Sequence, residues 1–177
     1  MEEIATVYAR SLFEVALEAD KLDVVREQLG EIADAVSADR DLQVFLFSPY
    51  FSSAEKKDGL HKAIIDADDM VVNFLELLVD NHRTPALMRV RRSYDALWRE
   101  ENNLLPVRVT SAVELDEATV RNIGDRIGEQ TGRKVELSSS VDSDLLGGIV
   151  VRVGNSIIDA SIRNRLEQLR RTVAKAQ

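Results

Sequence analysis

The chain has 177 residues, a formal net charge of −8 and no cysteine, so disulfide frameworks, thiolate nucleophiles and cysteine-ligated zinc are excluded and a reducing compartment suits it. That length accommodates one large domain or two small ones with real cores, and no apolar run approaches the roughly 20 residues that span a bilayer. The charge is uneven: residues 1–100 hold 20 acidic and 12 basic side chains, against 11 of each in 101–177, which argues against a nucleic-acid surface on the N-terminal half.

The opening MEEIATVYARSLFEVA is acidic and amphipathic, unlike a signal or transit peptide. Ile4, Val7, Tyr8, Ser11, Leu12, Val15 and Ala19 recur at helical spacing and predict a first helix over residues 3–19. Leu22, Val25, Leu29, Ile32 and Val36 form a narrow stripe suited to packing among neighbouring helices. Asp39 or Asp41 starts a short third helix that Ser48-Pro49 must stop. Ser52 and Glu55 make a capping box for a fourth, with Leu60, Ala63 and Ile64. Asp68 or Asp69 caps a fifth, in which Val71, Val72, Phe74, Leu75, Leu77, Leu78 and Val79 cover most of the circumference. Such a helix is central, or offers one face to a partner. Thr84-Pro85 supplies a cap and an N1 proline for a sixth, reaching Asn102. Six helices without an intervening strand describe a bundle over 1–102.

At Asn102-Asn103 the period changes. Leu105, Val107, Val109, Ser111 and Val113 alternate, with Pro106 suiting an edge or a strand start. Asp116 caps a helix carrying Val120, Ile123 and Ile127 that ends near Gly132. Val135, Leu137, Ser139 and Val141, then Ile149, Val151 and Val153, make two strands around Gly147-Gly148, where glycine permits a bulge or positive φ. Gly154-Asn155 turns the chain into a short strand at 156–158, and Asp159 is placed to cap the last helix, over 160–174. That helix aligns Ile162, Leu166, Leu169 and Val173 and carries Arg163, Arg165, Arg170, Arg171 and Lys175 elsewhere. The expected fold is therefore mainly α, a six-helix bundle followed by a smaller α+β domain over 103–177.

The run from Val135 to Gly154 resembles the C-terminal signature of the delta subunit of F-type ATP synthases, the oligomycin-sensitivity-conferring protein family. Val135, Leu137, Val141, Asp142, Leu145, Gly147, Gly148, Ile149, Val151, Arg152 and Gly154 fill its slots. Tyr8-Ala9-Arg10-Ser11-Leu12-Phe13 resembles the family's first-helix motif, and Leu78-Val79-Asp80-Asn81-His82-Arg83 the end of its fifth helix. The resemblance implies a bacterial, non-catalytic stator connector without cofactor or metal. It implies that such a protein links the F1 head to the b-subunit stalk of the Fo proton channel in support of ATP synthesis. It further implies a location on the cytoplasmic face of the cell membrane, reached through partners rather than by insertion. The bundle is expected to receive the N-terminal helix of an alpha subunit and to meet other head subunits, and the second domain to hold the C-terminal helices of the b subunits.

Helix-in-groove binding needs an apolar trough with a polar rim. Phe13, Leu75, Leu78 and Val79 are the candidate lining, with Tyr8, Arg10, Asn81 and Arg83 at the edge; the plain alternative is that the apolar four are bundle core. Arg163, Leu166, Leu169, Arg170 and Arg171 are the candidate stalk contact, and Gly147, Gly148 and Gly154 are structural. Catalysis is poorly supported: His61 and His82 have no partner at a metal-ligand spacing, the glycines make no dinucleotide or phosphate loop, and Asp142 and Asp144 read as turn residues. The basic last helix lacks aromatic residues to stack on bases or to anchor in lipid, so nucleic acid and membrane are poor partners for it. A generic helix-binding scaffold outside the synthase is the alternative reading, and a small hydrolase or nucleotide-binding enzyme a third.

Overall fold

The computed structural model describes residues 2–175, with the side chains of Glu2, Leu169 and 172–175 outside that description. The chain divides into two compact units, Met1–Trp98 and Arg99–Gln177. The division falls inside a helix, and Arg99, which opens the second unit, pairs with Glu136 at 2.7 Å.

The first unit contains α1 (Glu2–Glu18), α2 (Leu22–Ala38), α3 (Arg40–Phe47), α4 (Ser53–Ala63), α5 (Asp69–Asp80) and α6 (Leu87–Glu101), whose last turn crosses the division. Local chemistry sets most of the helix ends. Asp39 accepts from the N–H groups of Asp41 and Leu42, Ser52 and Glu55 complete a reciprocal capping box, and Asp68 accepts from Met70. Ser48, held extended before Pro49, ends α3. Both α1 and α5 close with paired backbone bonds around a left-handed residue: Lys21 to Ala16 around Asp20, and Arg83 to Leu78 around His82. The start of α6 differs from the sequence expectation. Residues Thr84–Ala86 form a 3-10 turn, and the Thr84 hydroxyl, instead of capping a helix, donates 2.8 Å to the buried carbonyl of Leu46.

The apolar stripes converge on one core, centred on Val25, Leu29, Val71, Leu78, Val90 and Tyr94. Phe13 meets Tyr94 edge-to-face at 5.6 Å, and the Tyr94 hydroxyl donates to the Leu22 carbonyl at 3.2 Å. Burial, reinforced by the carboxylates of Asp23 and Asp95, pushes this phenol well above the ordinary tyrosine range. Outside the core, α2 and α6 are fastened by polar contacts: Trp98 donates to Asp23 at 2.7 Å, and Arg26 lies 3.8 Å above the Trp98 ring while bonding Asp95.

The second unit contains β1 (Leu104–Ser111), α7 (Glu117–Thr131), β2 (Lys134–Val141), β3 (Ile149–Val153), β4 (Ser156–Asp159) and α8 (Ile162–Lys175). The sheet order is β2-β1-β3-β4, with β2 parallel to β1 and the other pairings antiparallel. Pro106 therefore lies in an inner strand, not at an edge. It is tolerated because the β1–β3 register begins only at Val107–Val153, and the Pro106 carbonyl still accepts from Gly154 at the end of that ladder. Leu105, Val107, Val109 and Val151 form the buried core with α7 over them. Asp116 caps α7, and Gly132, at φ +65°, ends it.

The last helix begins later than the sequence suggests. Asp159 ends β4 and its carboxylate accepts from the Ser161 N–H at 2.9 Å, while the Ser161 hydroxyl accepts from Asn164 at 3.2 Å and is the actual cap. Gly154 adopts φ +55° and Asn155 does not, so the β3–β4 turn is of the kind that needs left-handed backbone at its first position only.

Candidate functional site

Amphipathic helices of a bundle leave grooves wherever two of them diverge over partly apolar faces, and one such groove runs here between α1 and α5. Tyr8, Ser11, Leu12 and Val15 line one wall; Met70, Asn73, Phe74 and Leu77 line the other, enclosing about 500 Å³. The spacing on each wall is mostly three or four residues, which places the side chains along one stripe of each helix. Tyr8 and Phe74 meet edge-to-face at 6.3 Å across the floor. Val15 and Leu77 remain 51% and 47% exposed, so apolar surface faces solvent along the trough. At one end Lys21 and Asp68 pair at 2.5 Å. The lysine contact, with the Met70 N–H, holds the Asp68 carboxyl below the usual carboxylate range. The result is an apolar trough with a fixed polar end.

Of the residues picked from the sequence, only Tyr8 lines this groove. Phe13, Leu75, Leu78 and Val79 are buried in the bundle core, Leu78 completely, and Arg10, Asn81 and Arg83 lie on the exposed surface without reaching the trough. The helices were legible and the phase was not. In a helix apolar around most of its circumference, the outward residues are those out of step with the strongest buried series. Val71, Leu75, Leu78 and Val79 turn inward on α5, which leaves Met70, Asn73, Phe74 and Leu77 on the groove side.

In the second unit the candidate stalk residues lie on α8. Arg163 donates to the Asp144 carbonyl at 3.4 Å, Arg171 pairs with Glu167 at 3.7 Å, and Arg170 is exposed. Leu166 is 55% exposed; the Leu169 side chain lies outside the described residues. Ile157, Ile158 and Ile162 add further exposed apolar surface on β4 and at the start of α8. This helix start is held by the two glycines. Gly147 accepts from the Ile162 N–H at 3.0 Å, and a Cβ on Gly148 would lie 2.5 Å from the Ala160 carbonyl oxygen.

Two of the remaining titratable candidates, His61 and Asp142, have structural partners. His61 meets Glu76 at 2.6 Å between α4 and α5, a contact that their sequence separation conceals, and Asp142 accepts from the Asp144 N–H at 2.9 Å in a turn. Among the described residues no group of three or more potential metal ligands converges, and no helix is long and apolar enough to cross a membrane.

Residues 4–173 match the family model described as the ATP synthase delta (OSCP) subunit. The chain is 35% identical over 170 residues to the ATP synthase subunit delta of Lactobacillus gasseri, covering 96% of this chain and 93% of that protein. With the subunit delta of Syntrophus aciditrophicus the identity is 36% over 175 residues, covering 98% and 97%. Its fold is similar to that of a chain in the Toxoplasma gondii mitochondrial ATP synthase hexamer, at a TM-score of 0.77 and 23% identity, over 96% of this chain and 97% of that one.

Proposed function

The chain belongs to the ATP synthase delta (OSCP) subunit family, and we propose that it is a non-catalytic connector of the peripheral stalk in a bacterial F-type ATP synthase. In this reading the helical unit holds the N-terminal helix of an alpha subunit of the F1 head. The α+β unit holds the C-terminal helices of the b subunits that rise from the Fo proton channel, on the cytoplasmic face of the membrane. The physical task follows from rotary coupling: a turning shaft loads the head with torque, and the head stays in place only if something outside holds it. Such a part needs two tight surfaces with slow release, and no bond chemistry.

The observation that carries the proposal is the α1/α5 groove. Its walls offer apolar residues at helical spacing, with Val15 and Leu77 about half exposed in the free protein. An amphipathic helix laid there buries them by inserting its own i, i+3, i+4 and i+7 residues. Calorimetric titration of the full chain with a synthetic peptide of the cognate alpha-subunit N-terminus tests this, with Leu77→Asp and Val15→Asp as variants. Both positions face solvent, so the variants keep the fold, whereas Leu78→Asp would put a charge into the core. Saturable one-to-one binding is expected, weakened by about thirtyfold or more in Leu77→Asp, as for the loss of an interface anchor. Equal affinity in both variants, with the melting temperature unchanged, rejects the groove.

A further inference from the structure

The face of the sheet turned away from α7 carries a charge arrangement that the connector reading does not use. In the antiparallel β1–β3 pair Arg108 stands directly opposite Arg152. Like charges in that relation destabilise a sheet, their Cβ atoms being only about 4.5–5.5 Å apart. Both arginines are exposed, and among the described residues neither guanidinium has a hydrogen bond or ion pair. The two carboxylates on the same face are already engaged: Glu136 holds Arg99 at 2.7 Å, and Asp159 accepts from the Ser161 N–H. A shallow concavity of about 460 Å³ opens over the pair, bordered by Arg99, Glu136, Ser138 and Gly154.

Register extends the pattern across all four strands. Ser138, Arg108, Arg152 and Ile157 form one continuous row, and Ile157 at its end is 61% exposed. Strand spacing puts successive members about 4.8 Å apart. On an α-helix, positions i, i+4 and i+7 lie about 0, 6 and 10.5 Å along the axis, close to the progression from Arg108 to Arg152 to Ile157. The backbone N–H groups of β1 and β3 lie in the sheet plane between neighbouring strands, so this face has no amide nest of the kind that cradles phosphate. The face instead presents the two guanidinium forks of Arg108 and Arg152, each suited to one carboxylate.

We propose that this row is a docking surface for an acidic amphipathic helix carrying two carboxylates four residues apart and an aliphatic side chain three residues beyond. The carboxylates pair with Arg108 and Arg152 and relieve their repulsion, and the aliphatic group covers Ile157. The inference stands on the second unit alone and is independent of the α1/α5 groove.

The test is an NMR titration of the full chain, following the Arg108 and Arg152 side-chain N–H signals and the Ile157 methyls. The probes are an 18-residue helical peptide with Glu at i and i+4 and Leu at i+7, its Gln-for-Glu counterpart, inorganic phosphate, and phosphatidylglycerol vesicles. Saturable shifts with the diglutamate peptide are expected, at least tenfold weaker with the Gln peptide or in the double variant Arg108→Gln, Arg152→Gln, and weakened by salt. The double variant, freed of repulsion, is expected to melt about 2 °C higher in the absence of ligand. No shift at the arginines with the diglutamate peptide, or equal shifts with the Gln peptide, overturns the proposal. Perturbation by phosphate or vesicles alone also overturns it, by assigning the pair to a phosphate group.

Discussion

Gly148 shows how one missing side chain fixes the course of the second unit. Its φ is +84°, and a Cβ there would meet the backbone oxygen of Ala160 at 2.5 Å and the Ser161 Cα at 3.0 Å. Neither the residue nor its neighbour can yield without moving the junction between β4 and α8. Gly132 provides the comparison, since at φ +65° its only cost is the left-handed backbone, with nothing within 4 Å of an added methyl. Gly132→Ala is expected to cost about 1 kcal/mol, and Gly148→Ala about 2–3 kcal/mol, as strain and steric overlap add. Urea denaturation of the two variants checks the order. Equal losses would show that the approach to Ala160 relaxes freely.

At the scale of elements, capping chemistry makes a pH prediction. The Asp116 carboxylate accepts from the Thr119 hydroxyl and backbone N–H, both at 2.7 Å, and these bonds hold its carboxyl below the usual range. A depressed carboxyl stabilises the fold fully above its unfolded value, about 3.9, and the contribution disappears as pH falls through the lower folded value. Asp116→Asn keeps an oxygen cap but cannot titrate. The acid-side fall in stability is therefore expected to be shallower in Asp116→Asn, measured as melting temperature from pH 6 to pH 2.5. Superimposable profiles would mean that the cap does not contribute to the acid limb. Caps of this sort were also the most legible part of the fold, because Asp39, Ser52, Asp68 and Asp116 each act on N–H groups no more than three residues away. Thr84 and Asp159 broke the same rule for one reason each: Thr84 bonds to a carbonyl 38 residues distant, and Asp159 was taken into β4 by pairing with Val150. The groove was less legible than its helices. Periodicity marks Leu77 and Leu78 alike as apolar, and only the packing of the whole bundle decides that one is half exposed and the other sealed. The Arg108–Arg152 pair was hidden for a related reason, since its two members are 44 residues apart in sequence and meet only through strand register.

Across the whole molecule the two units differ sharply in what holds them together. The first buries a continuous core running from Ala5 to Tyr94, tied by the Thr84–Leu46 and Tyr94–Leu22 hydrogen bonds. The second buries only Leu105, Val107, Val109 and Val151 among its described apolar residues, and leaves Ile157, Ile158, Ile162 and Leu166 substantially exposed. Apolar burial is the main favourable term in folding, so the second unit has the smaller margin. Calorimetric unfolding of the full chain is expected to show two transitions, with the second unit melting first. Val109→Ala, deleting part of a fully buried side chain, should lower only the first transition, and Val90→Ala only the second. A partner bound to the folded second unit adds stability through mass action, about 2.7 kcal/mol at a hundred times its dissociation constant. If α8 contributes to the stalk contact, a peptide spanning the C-terminal end of the b stalk helix should raise the first transition alone. That rise should shrink when Arg163, Arg170 and Arg171 are reversed to Glu. One cooperative transition, moved equally by both core variants, would mean that the units unfold as a single body and that occupancy of either surface stabilises the whole chain.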